Sequence, residues 1–184
     1  MDEYEAVVYD LDGTLVRLDV DWDTVHAAVV ERLDEHEVDA GDRDLWDILD
    51  VAAERGVKDV VEETIAAFEH EGAKTSRRLP LADELPLAVP VAVCSLNCEA
   101  ACRVALERHD LDGHVDGVVG RDTVARHKPN PEPLLYAIES VGAHPERTLF
   151  VGDSDSDREA AAAAGTAFEF VAARTAEAPP EGEN

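Results

Sequence analysis

Five short apolar runs, rich in β-branched residues, are spread along the chain, and the stretches between them have helical spacing. The runs cover residues 5–10, 89–94, 115–119, 148–151 and 168–171. Helices are expected near 98–109, after Pro131, and from 156 to 164, where Gly165 supplies the C-terminal stop. Strand and helix alternating in this way predict an α/β protein, with a parallel sheet joined by right-handed crossovers.

One long stretch breaks the alternation. Residues 17–78 carry apolar stripes at helical spacing: Trp22, Val25, Val29, Val30 and Leu33; then Leu45, Ile48, Leu49 and Ala52; then Val57, Val60, Val61, Ile65 and Phe68. Gly41, Gly56 and Gly72 read as the punctuation between and after them. The expected organisation is an α/β core over 1–16 and 79–173, a helical insert over 17–78, and a flexible acidic tail over 174–184.

Charge narrows the possible partners. The chain sets 42 acidic side chains against 16 basic ones, a formal charge of −26 over 184 residues. Phosphate backbones and anionic membrane surfaces demand basic patches, so neither nucleic acid nor membrane is an expected partner. Lysine occurs three times, at Lys58, Lys74 and Lys128. Self-repulsion at this charge destabilises a compact state in dilute salt. At molar salt the Debye length falls to about 3 Å and the repulsion is screened. A salt-rich cytosol is therefore the expected setting. Cys94, Cys98 and Cys102 lack an interleaved His or a second cluster, and read as buried reduced thiols. No basic-plus-apolar leader or 18-residue apolar run is visible, which points to a soluble, cytoplasmic protein.

Sites in open parallel sheets lie beyond the carboxyl ends of the strands. Collected in that order, the residues there are Asp10 and Asp12, Ser95 and Asn97, Lys128 downstream of the third strand, and Asp153 and Asp157. Hard carboxylates gathered with a hydroxyl and a lysine suit a Mg²⁺ site that handles a phosphate. Taken singly, each residue has a plainer role. Ser95 or Asn97 could cap the next helix, and Asp157 could be a first-turn acid favoured by the helix dipole. Asp122 reads as a cap or turn residue, and the seven histidines as surface or core residues. Asp153-x-Asp155-x-Asp157 imitates a calcium loop, but Arg158 and Ala164 stand where that loop needs Gly and Glu.

Four segments carry a resemblance. Asp10-Leu11-Asp12-Gly13-Thr14-Leu15, Val93-Cys94-Ser95-Leu96-Asn97, His127-Lys128-Pro129-Asn130-Pro131-Glu132-Pro133 and Gly152-Asp153-Ser154-Asp155-Ser156-Asp157 resemble, in order and spacing, the four motifs of the haloacid dehalogenase superfamily of phosphohydrolases. The nearest branch is the phosphoglycolate phosphatase-like one. The resemblance implies a Rossmann-like parallel-sheet core, with residues 17–78 in the place of the family's α-helical cap.

The resemblance also implies roles. Asp10 would be the nucleophile that forms an aspartyl-phosphate, and Asp12 the general acid and base. Mg²⁺ would be held by Asp10, the backbone carbonyl of Asp12 and Asp153, with Asp157 supporting that shell. Ser95 and Lys128 would hold the phosphoryl oxygens, with Asn97 and Thr14 completing the substrate-binding set. The expected activity is hydrolysis of a small phosphorylated metabolite, phosphoglycolate being one candidate. The other readings are a phosphomutase similar to β-phosphoglucomutase, a metal-independent 2-haloacid dehalogenase and a non-catalytic binding module. Asp12 and Asp153 argue against the dehalogenase. The sequence leaves the oligomeric state open, including whether a second subunit helps to close the site.

Overall fold

The computed structural model describes residues 4–177. Its elements run β1 (Ala6–Tyr9), β2 (Val16–Arg17), α1 (Trp22–Glu35), α2 (Leu45–Arg55), α3 (Lys58–Lys74), β3 (Arg77–Arg78), β4 (Val91–Cys94), α4 (Glu99–Arg108), β5 (Gly117–Val119), α5 (Glu132–Ser140), β6 (Thr148–Gly152), α6 (Asp155–Ala164), β7 (Ala167–Phe170) and α7 (Val171–Glu177). Five strands make one parallel sheet in the order β5-β4-β1-β6-β7. The α/β expectation holds.

The central strand is apolar throughout because both of its faces are covered. Successive side chains point to opposite faces. Val7 and Tyr9 join Val91, Val93, Leu149 and Val151 against α4, while Val8 joins Ala92, Cys94 and Phe150 against α5. Burying a large apolar side chain fully contributes about 1.5–3 kcal/mol, so the two covered faces of β1 supply a large share of the core's stabilisation.

The helical insert has its own apolar cluster. Val25, Val29 and Leu33 of α1 meet Ile48, Leu49 and Ala52 of α2 and Val61 and Ile65 of α3. The acidic composition has local work here. Asp21 accepts from the backbone N–H groups of Asp23 and Thr24 at the start of α1, and Asp44 from those of Trp46 and Asp47 at the start of α2. The two connections to the core pair antiparallel as β2 and β3, Val16 opposite Arg78 and Arg17 opposite Arg77.

Two expectations need correction. Gly72 does not end a helix: it lies inside α3, where a Cβ would come within 2.5 Å of the Val20 side chain and 2.8 Å of the Asp19 carbonyl. The glycine is there for close approach, and the Asp19 N–H donates to its carbonyl at 3.1 Å. The expected loose tail from residue 174 is helical through Glu177. Arg174 anchors it, its guanidinium bonding Glu84 and Glu169 at 2.8 Å each. The rest of that tail, 178–184, lies outside the described residues. The three cysteines are free and buried, as expected, and burial pushes the Cys94 and Cys98 thiols up to about 12.

Candidate active site

The strand ends converge as the sequence implies. Asp10 follows β1, and its backbone N–H donates to the Val151 carbonyl, which fixes it beside β6. Gly13 turns the chain at φ +92°, and a Cβ there would stand 1.9 Å from Asp153 Oδ2. The loops after β1 and β6 therefore approach closely only because residue 13 is glycine. The same turn brings Thr14 Oγ1 to 3.4 Å from Asp10 Oδ2, and Asp12 Oδ1 accepts from the Leu18 N–H at 2.9 Å.

Lys128 is the buried cation of the site. Its ammonium donates to Asp10 Oδ1 at 2.8 Å, to the Cys94 carbonyl at 3.0 Å and to Asp157 Oδ1. These three acceptors match its three N–H bonds. Asp157 is no solvated helix acid. It is buried, and its other oxygen accepts from the Ser154 N–H and hydroxyl in a capping box. Ser95 Oγ and Asn97 bond each other, with Asn97 Oδ1 accepting at 3.1 Å.

Asn97 does not cap α4. Its amide nitrogen donates to Glu69 Oε1 at 3.2 Å, and the first backbone N–H groups of α4, from Cys98 and Glu99, go to Glu69 and to Asp122. Asp122 is the structural cap expected of it.

Asp10, Asp153 and Asp157 each offer an oxygen within 4.8 Å of one another. Burial pushes the Asp10 carboxyl up to about 7 despite the neighbouring ammonium, and it raises Asp12 and Asp153 as well. Carboxylates held this close, with one cation among them, fit a divalent ion with oxygen ligands. Both Asp157 oxygens are already engaged by Lys128 and Ser154. Asp10 is engaged in the same way, by Lys128 and Thr14, so Asp153, with Arg17 no nearer than 4.0 Å, is the least committed of the three carboxylates.

A cavity of about 480 Å³ opens over these residues. The core contributes Asp10, Asp12, Ser95, Asn97, Lys128 and Asp153 to it, and the insert supplies the opposite wall. Thr14 stays behind Asp10, fully buried.

Three features at or beside the cavity are not among the strand-end residues collected from the sequence. Arg17 stands at the cavity beside Asp12 and Asp153, 3.9 and 4.0 Å away. His26, read as surface or core, is on the wall. Glu69 and Arg121 form a buried pair between insert and core, with Arg121 Nη1 donating to Glu69 Oε1 at 2.7 Å and to the Leu96 carbonyl at 2.6 Å. Signals existed for both partners. Glu69 continues the Val61–Ile65 stripe at four-residue spacing, and Arg121 stands two residues past the end of β5, where strand-end residues are to be read together.

Comparison with known proteins fits this geometry. A family model described as haloacid dehalogenase-like hydrolase matches residues 80–171, half of the chain. A phosphoglycolate phosphatase of Aquifex aeolicus is 42% identical over 76 residues, covering 41% of this chain and 36% of that protein. The curated relatives are matched over only 24% to 36% of their own length. A HAD-superfamily hydrolase of subfamily IA from Geobacter sulfurreducens superposes with a TM-score of 0.60 at 26% identity, covering 90% of this chain and 88% of that one. A hydrolase from Pseudomonas syringae gives 0.66 at 22% identity, over 89% and 83%, a likeness of fold. Since the family's pattern spans half of the sequence and its fold recurs over nine tenths of it, the chain belongs to the haloacid dehalogenase-like hydrolases.

Proposed function

We propose that the chain is a Mg²⁺-dependent phosphatase acting on a small phosphorylated metabolite through an aspartyl-phosphate on Asp10. One observation supports this most: Lys128 holds Oδ1 of a buried Asp10 while the residue fronts a cavity that also receives Asp12, Ser95 and Asp153. Lys128 holds the carboxylate by Oδ1, and Oδ2, touched by the Thr14 hydroxyl at a long 3.4 Å, keeps a lone pair to attack phosphorus.

In the first step the Asp10 oxygen bonds to phosphorus and the ester oxygen leaves with a proton from Asp12. Burial raises the Asp12 carboxyl, the direction that favours the protonated form this step needs. In the second step Asp12 takes a proton from water, the water oxygen bonds to phosphorus, and the Asp10–phosphorus bond breaks. Ser95 Oγ and the Lys128 ammonium stabilise the charge on the phosphoryl oxygens. Asp10, the Asp12 carbonyl and Asp153 would hold Mg²⁺, which offsets repulsion between the carboxylates and an arriving phosphate.

Residues 17–78 act as the cap over the 1–16 and 79–173 core in this reading. No helix among the described residues is long and apolar enough to cross a membrane. Together with the charge of −26, this supports work in a salt-rich cytoplasm. The test is phosphate release from small phosphomonoesters in KCl. Release should require Mg²⁺ and vanish in Asp10→Asn, and full activity in that variant would sink the mechanism.

A further inference from the structure

The core supplies the phosphate end of the cavity, and the insert supplies the end that meets the rest of the substrate. The family match begins at residue 80 and so leaves that insert wall undescribed. Its residues are Trp22, Asp23, His26, Asp44, Leu45 and Trp46. The chain has two tryptophans, and both stand here. Their ring centroids are 6.3 Å apart at 57°. Trp46 is held in place, because the buried Arg121 guanidinium lies over its ring at 5.7 Å and is itself fixed by Glu62 and Glu69. This wall is aromatic, with Trp46 anchored from behind.

Charge on the wall discriminates further. His26 Nε2 meets the Arg43 carbonyl at 2.9 Å, so that nitrogen carries the proton and donates. Asp23 and Asp44 would repel a carboxylate on the leaving group. Arg17, the remaining cation at the cavity besides Lys128, already faces Asp12 and Asp153. The volume points the same way. The open cleft of about 480 Å³ has room beside the phosphoryl end for a group larger than two carbons.

We infer that the substrate is a phosphomonoester whose alcohol carries a flat aromatic or heteroaromatic ring and no carboxylate. The ring would lie against Trp22 and Trp46 while the phosphoryl group sits on Asp10. This inference rests on the phosphatase reading, and the experiment separates the two.

Benzyl phosphate, ethyl phosphate and phosphoglycolate all release a primary alcohol that needs a proton from Asp12, so ring and carboxylate are what distinguish them. Benzyl phosphate should show a kcat/KM at least about tenfold above either, the order expected of an added aromatic contact together with its burial. Trp22→Ala should collapse the benzyl-to-ethyl preference, and Trp22→Phe should keep most of it. Equal or greater kcat/KM for phosphoglycolate overturns the inference and leaves the phosphatase reading intact. If none of the three is turned over, binding to Asp10→Asn decides, read as quenching of Trp22 and Trp46. Benzyl phosphate bound at least tenfold tighter than phosphoglycolate then supports the inference and removes only the phosphatase reading. Equal or weaker binding overturns it.

Discussion

Replacing Arg121 with methionine should cost more than any single surface change, and a second mutation should restore part of the loss. Arg121 is 2% exposed and Glu69 is fully buried. The guanidinium reaches both Glu69 oxygens at 2.7 and 3.2 Å, Glu62 Oε2 at 2.9 Å and the Leu96 carbonyl at 2.6 Å. Without it, the Glu69 carboxylate keeps only two neutral donors, Asn97 Nδ2 and the Cys98 N–H. Removing one partner of a buried ion pair costs about 3–5 kcal/mol, because the other charge stays buried. At about 2–4 °C per kcal/mol for a chain this size, the low end lowers Tm by roughly 6–12 °C. Glu69→Gln added to Arg121→Met takes away the orphan charge while an amide oxygen still accepts. The double variant should then cost only about 1–3 kcal/mol, the value of lost neutral hydrogen bonds. Urea unfolding in KCl, followed by far-UV circular dichroism, measures both. A loss under about 1 kcal/mol for Arg121→Met, or a double variant no more stable than the single, refutes the reasoning.

Gly13→Ala should abolish phosphate release while circular dichroism stays near wild type, since its Cβ would strike Asp153 Oδ2 at a left-handed φ of +92°. Retained activity would mean that the two loops need not approach. Apparent Mg²⁺ affinity, followed by calorimetry, should fall about tenfold from pH 6.5 to 5.5. Asp10 is raised to about 7 without metal, so below that pH an ion must displace its proton. Affinity flat across that window would show that Asp10 is not a ligand.

What the sequence revealed, and what it concealed, follows from the range of each interaction. Asp10, Ser95, Lys128 and Asp153 were legible because a parallel sheet brings successive strand ends to one edge, whatever the details of packing. Leu45, Ile48, Leu49 and Ala52 were legible because a helix face repeats every three or four residues, and all four are buried. Gly72 was misread since a glycine in a helix looks like a break until the Asp19 carbonyl is seen against it. Arg174 looked like tail because its partner Glu84 is 90 residues away. Glu69 and Arg121, 52 residues apart, face the same difficulty. Neither stands out among the many charges of the chain, and only the docking of insert on core pairs them.

The central claim is that Asp10 carries the phosphoryl group. Asp12→Ala removes both the acid of the first step and the base of the second. The substrate mixed with this variant and Mg²⁺ should therefore be an activated aryl phosphate such as 4-nitrophenyl phosphate, whose leaving oxygen departs without a proton. The acyl phosphate then forms, is not hydrolysed, and should accumulate. Acid quenching and peptide mass spectrometry should then find one phosphoryl adduct, on the peptide bearing Asp10, and none after adding Asp10→Asn. An adduct on Ser95, or substrate consumed by wild-type protein with no adduct in the variant at any time, would contradict the account.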